Sequence, residues 1–248
     1  ARTVAWRNPI AVGRSELTNW MAEHCADAIQ SVWSEDVWRL PLGIKAGRWP
    51  LYLRGGIFVQ DETSLIAASC LEVKPGQSVL DLCAAPGGKS ARVAVNMQDC
   101  GFVVANELSV HRIVALRRTI ERMLLSSVQV THGNGVKFPA SNHSFDAVIA
   151  DVPCTCEGTT RKQTLRHPDH SDKFRASVIQ TQKALLRKAL KVVRRGGTVL
   201  YATCTYSPEE NEAVIHAASR AAEFEVIPLP LPPGIVASSG LTSWQGES

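Results

Sequence analysis

The sequence predicts an α/β protein: a Rossmann-like, doubly wound sheet with a small N-terminal appendage. From Gly56 onward, short apolar runs of strand length alternate with longer amphipathic ones, the pattern of repeated β-α units. The apolar run Phe145–Ala150 is of the kind found in central parallel strands. A small-residue strand-to-helix turn, Asp81-Leu82-Cys83-Ala84-Ala85-Pro86-Gly87-Gly88-Lys89, follows the first strand of the series.

Residues 1–55 differ from the rest and read as the appendage. Ser15 to Trp33 has roughly helical apolar spacing through Leu17, Trp20, Met21, Ala28, Ile29 and Val32. Trp6, Trp20, Trp33 and Trp38 crowd the first forty positions, and Pro41, Gly43, Gly47, Pro50, Gly55 and Gly56 then break the segment into turns. Residues 56–248 form the main domain. Glu62–Glu72 reads as a helix stopped by Lys74-Pro75-Gly76, Ser78–Leu82 as a strand and Lys89–Met97 as a helix. A strand at Phe102–Asn106, a helix at Val110–Leu124 and strands at Val128–Thr131 and Phe145–Ala150 follow. Phe174–Val193 is a long helix with Val178, Leu185, Leu186, Ala189 and Leu190 on one face, ended by Gly196-Gly197. Thr198–Ala202 is the last strand, and Ser207-Pro208-Glu209-Glu210 opens a helix in capping-box form. Beyond Glu223 the chain is Pro-rich and lacks a closing strand pair, so its C-terminus is expected to be cut short.

Composition narrows the class without naming a function. At 248 residues with 45% hydrophobic and 20% charged content, the chain has the make-up of an ordinary globular protein. Nothing approaches the ~18 consecutive apolar residues of a membrane span. A net charge of +4 permits a polyanionic partner without establishing one. Seven cysteines, scattered and odd in number, fit an intracellular reducing compartment better than a disulfide framework. Cytoplasm, nucleolus and mitochondrion are not distinguished. The chain opens on Ala1, not Met, so the absence of a targeting signal is uninformative.

In an open α/β sheet the ligand sits outside the carboxyl ends of the strands, where the winding reverses. The turn formed by Cys83, Ala84, Ala85, Pro86, Gly87, Gly88 and Lys89 lies there, and Glu107 follows the second strand where a carboxyl can bond a ribose diol. The turn is not G-x-G-x-x-G, which disfavours a dinucleotide; it suits S-adenosyl-L-methionine, which brings no pyrophosphate. A plain tight turn is the alternative. Asn134, after the third strand, either accepts a bond from an adenine amine or simply turns the chain with Gly135.

Two cysteines carry the expected chemistry. Cys154, in Asp151-Val152-Pro153-Cys154, and Cys204, in Tyr201-Ala202-Thr203-Cys204, each follow a strand and face the same crevice. Cys204 precedes the helix expected at Ser207, where dipole and free amides favour a thiolate, so it is the expected nucleophile. A thiolate can add to C6 of a pyrimidine, which makes C5 able to attack a sulfonium methyl. Cys154 is suited to release of the product, Asp151 to holding the cytosine edge, and Lys89 to a further polar contact. Cys154, Cys156 and Cys204 with His167 or His170 could bind zinc, but no C-x-x-C pair is present and no metal is expected. Cys25, Cys70 and Cys100 read as inert.

The motifs D-L-C-A-A-P-G-G-K-S at 81–90, D-V-P-C-T at 151–155 and Y-A-T-C-T-Y-S-P-E-E-N-E at 201–212 resemble those of the Nop/Sun (Fmu-type) RNA cytosine-C5 methyltransferases. Gly56–Ser64 looks like the segment before that family's catalytic domain, and Trp6-Arg7-Asn8-Pro9 like its N-terminal RNA-binding entry. The resemblance implies a methyltransferase sheet, adenosyl-methionine as cofactor, Cys204 as nucleophile and Cys154 as the release residue. Glu157-Gly158-Thr159-Thr160-Arg161-Lys162 is similar to the ribosomal RNA branch. Two departures stand out: Cys156 where glycine is usual, and Asn134 where an aspartate contacts the cofactor.

The expected partner is RNA, ribosomal RNA or the ribosomal subunit first and transfer RNA as the alternative. An RNA-binding assembly factor with little turnover is the rival reading, and assembly partners are allowed. Arg161, Lys162, Arg166, His167 and His170 beside the crevice are the favoured phosphate contacts. Arg112, Arg117, Arg118 and Arg122 on one helix, and Lys183, Arg187, Lys188, Lys191, Arg194 and Arg195 on another, are secondary.

Overall fold

The computed structural model of the chain describes residues 2–159 and 171–243. The appendage is a four-stranded antiparallel sheet. Its strands are Thr3–Arg7 (β1), Ile29–Ser31 (β2), Ser34–Arg39 (β3) and Ile57–Asp61 (β4), in the order β2-β3-β1-β4. Helix Arg14–His24 (α1) follows β1, and the short helix Pro50–Leu53 (α2), opened by its proline, leads into β4. Helical spacing over Ser15–Trp33 holds only as far as His24. Cys25 leaves helical geometry, and the Ala28 amide closes a turn onto the Cys25 carbonyl before β2 begins. Leu17, Met21, Cys25 and Ala28 still share one core, so the residues point inward although the period changes.

This sheet is buried on both faces, as strand alternation requires. Val4, Trp6, Val37 and Phe58 join the core of the main domain, while Ala5 and Ile57 pack with α1 residues on the other side. The partly buried Trp20, Trp38 and Trp49 pack against that second core. Strand β4 lies past residue 55, so the sheet crosses the boundary read from the sequence.

The main domain runs Glu62–Ser69 (α3), Ser78–Asp81 (β5), Gly88–Asn96 (α4), Phe102–Glu107 (β6), Val110–Arg122 (α5), Val128–His132 (β7), Phe145–Asp151 (β8), Asp172–Val192 (α6), Val193–Ala202 (β9) and Glu212–Ser219 (α7). Its five strands are parallel in the order β7-β6-β5-β8-β9. The chain winds from β5 out to β7, then crosses back to β8 and β9. The crevice therefore opens where β5, β6 and β8 end. Among the described residues no helix is long and apolar enough to cross a membrane.

Three boundaries differ from expectation. Helix α3 stops at Ser69, short of Glu72. Strand β9 begins at Val193, because α6 runs straight into it; a register shift between the Phe145–Val193 and Ala147–Thr198 pairs absorbs Arg194–Gly197. Helix α7 begins at Glu212, not Ser207. Residues Pro208–Asn211 form a turn in which the Pro208 carbonyl accepts the amides of Asn211 and Ala213.

The two sheets meet at close quarters. Gly55 has φ +76, and a Cβ there would sit 1.9 Å from the Arg122 carbonyl oxygen. Arg122 lies 3.8 Å from the Tyr52 ring centroid and donates to the carbonyls of Tyr52 and Ile57. Asn8, fully buried, donates to the carbonyls of Gly55 and Met123. These contacts tie the appendage to α5.

Candidate active site

The turn after β5 is organised from below by Asp81. Its buried carboxyl accepts the Ser90 hydroxyl at 2.7 Å and the Cys83 amide at 3.3 Å. Burial pushes Asp81 up to about 7, against the pull of the Ser90 bond. Gly87, at φ +105, turns the chain into α4, and a Cβ there would touch Leu116 and Thr119 at 3.0 Å. At Gly88 a Cβ would lie 2.1 Å from the Gln60 side-chain oxygen, so this glycine lets β4 approach the start of α4.

A cavity of about 940 Å³ opens at the ends of β5, β6, β8 and β9. Cys83, Lys89, Glu107, Asn134, Asp151, Cys154 and Cys204 all line it. Ala84, Ala85, Pro86 and Gly88 line instead a smaller neighbouring cavity of about 420 Å³ between the turn and β4, and Gly87 lines neither. The turn thus presents Cys83 and Lys89 to the large cavity, and Ala84, Ala85, Pro86 and Gly88 to the smaller one, which Lys89 also lines. Burial pushes the Cys83 thiol up to about 12, so it stays protonated.

Glu107 ends β6 nearly buried. One carboxyl oxygen accepts the Ser109 amide at 2.8 Å and the other the Ala85 amide at 3.2 Å, with Arg112 at 3.5 Å. Arg112 also donates to the Ala85 carbonyl, so it braces this wall instead of standing free on the helix. The Asn134 side-chain oxygen accepts the Val136 amide at 2.9 Å. An acceptor role toward a ligand amine would compete with that bond, and the turn-forming alternative describes the residue as it stands.

Across the cavity, Lys89 donates to Asp151 at 2.7 Å and to the Ser64 hydroxyl at 3.0 Å. The thiols of Cys154 and Cys204 lie 3.0 Å apart, Cys156 is 3.9 Å from Cys154, and all three sulfurs fall within 4.8 Å of one another. The hydrogen bond from the Cys204 thiol draws Cys154 down to about 6; backbone amides of Cys204 and Cys156 act in the same direction, and burial opposes them. Cys204 is pushed strongly upward by donating to Cys154. Two thiolates at this distance repel, so one proton stays on the pair. The Cys204 backbone amide also donates to the Cys154 sulfur at 3.3 Å, which favours the charge of the pair on Cys154. The helix-dipole argument for a Cys204 thiolate fails, because Pro208–Asn211 separate Cys204 from α7.

A buried network, unseen in the sequence, holds the two cysteine loops together. Glu210 is fully buried; it accepts the Thr155 amide at 3.0 Å, the Thr155 hydroxyl at 2.5 Å and the Gln182 side-chain amide at 2.7 Å. Gln182 also donates to the Pro153 carbonyl, and the Thr155 and Thr205 hydroxyls meet at 3.1 Å. The Gly158 amide donates to the Cys204 carbonyl at 2.8 Å, and a Cβ at Gly158 would lie 2.8 Å from that oxygen. Drawing Glu210 inward explains why the expected capping box does not form. A buried acid is silent in sequence pattern, because Glu210 reads equally well as an exposed cap residue.

The basic groups divide. Arg161, Lys162, Arg166, His167 and His170, with Thr160, lie outside the described residues. Arg117, Arg118, Arg187 and Lys191 are exposed, whereas Arg122 is consumed by Tyr52 and Ile57. Trp6 and Asn8 are fully buried, and Arg7 is bound to Asp36 and the Val12 carbonyl. The Trp6–Pro9 entry segment therefore builds the sheet, and its tryptophan offers RNA no surface.

The family described as 16S rRNA methyltransferase RsmB/F matches residues 68–242. The chain is 32% identical over 216 residues to the probable ribosomal RNA small subunit methyltransferase B of Bacillus subtilis (strain 168), covering 85% of this chain and 47% of that protein. It is 37% identical over 184 residues to the ribosomal RNA small subunit methyltransferase F of Escherichia coli O1:K1 / APEC, covering 73% and 37%. The chain thus spans less than half the length of these relatives. A crystal structure of a methyltransferase homolog protein from Pyrococcus horikoshii superposes with a TM-score of 0.79 at 27% identity, covering 92% of this chain and 73% of that one. By its sequence over most of its length, this chain belongs to the 16S rRNA methyltransferase RsmB/F family.

Proposed function

We propose that this chain methylates C5 of a cytosine in small-subunit ribosomal RNA, using S-adenosyl-L-methionine and a covalent bond between Cys204 and C6. The observation that carries the reading is the pair of thiols 3.0 Å apart at the ends of β8 and β9, in one cavity with Glu107 and Asp151. The donor set fits the cofactor: Glu107 offers a carboxyl for a ribose diol, and Leu108 and Val136 give apolar walls for a flat base. Adenosyl-methionine supplies an electrophilic methyl group. Domain roles form part of the same proposal, with residues 1–55 facing RNA, supported by exposed Lys45 and Arg48, and 56–248 holding the chemistry. A thiol pair at work also requires a reducing compartment.

Asp151, held by Lys89, accepts the exocyclic amine of the cytosine. The Cys204 sulfur bonds to C6 while its proton passes to the Cys154 thiolate, and the C5–C6 electron pair is left on C5. The pair on C5 then bonds the methyl carbon, and the pair of the broken carbon–sulfur bond stays on sulfur, which leaves as a neutral thioether. Cys154, after losing its proton to solvent, removes the C5 proton; the pair from that C–H bond restores C5–C6, the Cys204–C6 bond breaks with its pair left on Cys204, and Cys204 takes a proton back from Cys154. The net change is one methyl gained and one proton released.

The test is transfer of labelled methyl to RNA, mapped by bisulfite conversion. Cys154→Ala is expected to trap RNA on the protein, and Cys204→Ala to abolish both adduct and transfer. The assignment fails if Cys204→Ala methylates normally and Cys154→Ala traps nothing.

A further inference from the structure

Cys156 has no place in that chemistry, yet it is held beside the pair. Its backbone sits at φ +61, a region that side-chain-bearing residues rarely adopt, and its thiol is turned back to donate to the Cys154 carbonyl at 3.3 Å. The absence of a C-x-x-C pair argued against a metal from the sequence. That argument counts ligands along one loop, whereas here the third sulfur arrives from the end of β9.

We propose that Cys154, Cys156 and Cys204 form a trithiolate site for a soft divalent cation of the zinc type, and that its occupation silences the thiol pair. Zinc–sulfur bonds of about 2.3 Å in a tetrahedron put sulfurs about 3.8 Å apart. The observed 3.9 Å between Cys156 and Cys154 matches, and the 3.0 Å between Cys154 and Cys204 needs less than an ångström of opening. The two loops are already fixed to each other by Glu210, Thr155 and the Gly158–Cys204 backbone bond, so little ordering remains to be done. Cys204 is exposed, which leaves a fourth position for water on the cavity side. An all-sulfur donor set selects zinc, cadmium or copper(I) over magnesium or calcium. Cys156 and Cys204 give their thiol protons to solvent on coordination, and Cys154 binds through the charge it already carries. A sulfur pair shared with the metal is withdrawn from attack on C6, so metal and RNA adduct exclude each other. Only this last consequence rests on the proposed function.

The experiment uses the full chain in a non-thiol reductant, titrated with zinc against a chelating dye and, separately, with cadmium followed by its sulfur-to-metal charge-transfer absorption. One cation per chain is expected. Cys156→Gly, which suits the positive φ, should weaken zinc on the order of ten-fold or more and lower the cadmium band by about a third. Cys156→Ser gives a second variant that keeps the side chain's size, and Cys100→Ser, at an exposed thiol elsewhere, should change nothing. Thermal melts establish that each variant is folded. The site is refuted if wild type binds no zinc, or if both Cys156 variants bind it as tightly as wild type. Zinc bound one to one without slowing methyl transfer refutes the silencing. A wild type that transfers no methyl at all defeats the function proposed above, while the binding result still decides the site.

Discussion

Glu210 is the residue on which the two cysteine loops depend, and its removal has a calculable cost. Truncation by Glu210→Ala deletes three hydrogen bonds and leaves the Thr155 amide and the Gln182 side-chain amide facing a dry void. Each orphaned buried donor costs about 1–3 kcal/mol, so a loss of about 3–5 kcal/mol is expected. Glu210→Gln is different. Its remaining oxygen can take the site that accepts Thr155 N and Gln182 Nε2, and its amide can donate to the Thr155 hydroxyl, which then turns toward Thr205. A loss of about 1 kcal/mol is expected for that variant. Denaturant melts measure both. Alkylation of Cys154 against pH separates positioning from mere stability: loosening the loops by Glu210→Ala should raise its midpoint from about 6, since the Cys204 bond that depresses it needs both loops in register. Glu210→Gln costing as much as Glu210→Ala would refute the reasoning, as would Glu210→Ala leaving stability and alkylation profile unchanged.

Other predictions follow from the same geometry. In wild type, one thiol should alkylate with a midpoint near pH 6, identified as Cys154 by peptide mapping; Cys204→Ala removes the main cause and moves that midpoint toward the ordinary ~8.5. Asp81 has a raised folded value of about 7, so its contribution to stability is full below about pH 4 and lost as pH rises to about 7; Asp81→Asn should flatten melting temperature against pH across that window. Gly55→Ala combines φ +76 with a Cβ 1.9 Å from the Arg122 carbonyl, and should cost more than about 2 kcal/mol in a chemical melt.

Much of the main sheet is legible in the sequence because its signals are local. Val79–Leu80, Val103–Ala105 and Val148–Ala150 are buried on both faces, and such strands read as apolar runs whatever surrounds them. The small-residue turn and the two P-C and T-C cysteines read equally well, since each lies at a strand end that topology sends to one crevice. What escaped is non-local. Strand β1 has Val4, Ala5 and Trp6 all inside because sheets and helices cover both its faces, and only assembly reveals that cover. Ser207-Pro208-Glu209-Glu210 is a good capping box in isolation, but a buried bond network claims Glu210 and the cap is forfeited. Propensity is a weak prior against three buried hydrogen bonds.

The same contest bears on the division of work proposed for the two thiols. A helix N-terminus at Ser207 would have made Cys204 the thiolate; without it, the Cys204 amide and thiol both point at Cys154 and the charge rests there. That reverses the resting protonation without reversing the proposed roles. A nucleophile that keeps its proton until a pyrimidine arrives is shielded from stray alkylation and oxidation, and the neighbour that holds the charge is already in place to take the proton. An S–H bond aimed at Cys154 leaves the sulfur lone pairs free to approach C6, so the proton can pass to Cys154 as the S–C6 bond forms. Stepwise activation predicts that Cys154→Ser, which is a poor anion, slows adduct formation itself, whereas a residue acting only in release would leave the first step at its wild-type rate. A single-turnover measurement of adduct formation distinguishes the two, and an unchanged first step in Cys154→Ser would rule out the proton transfer.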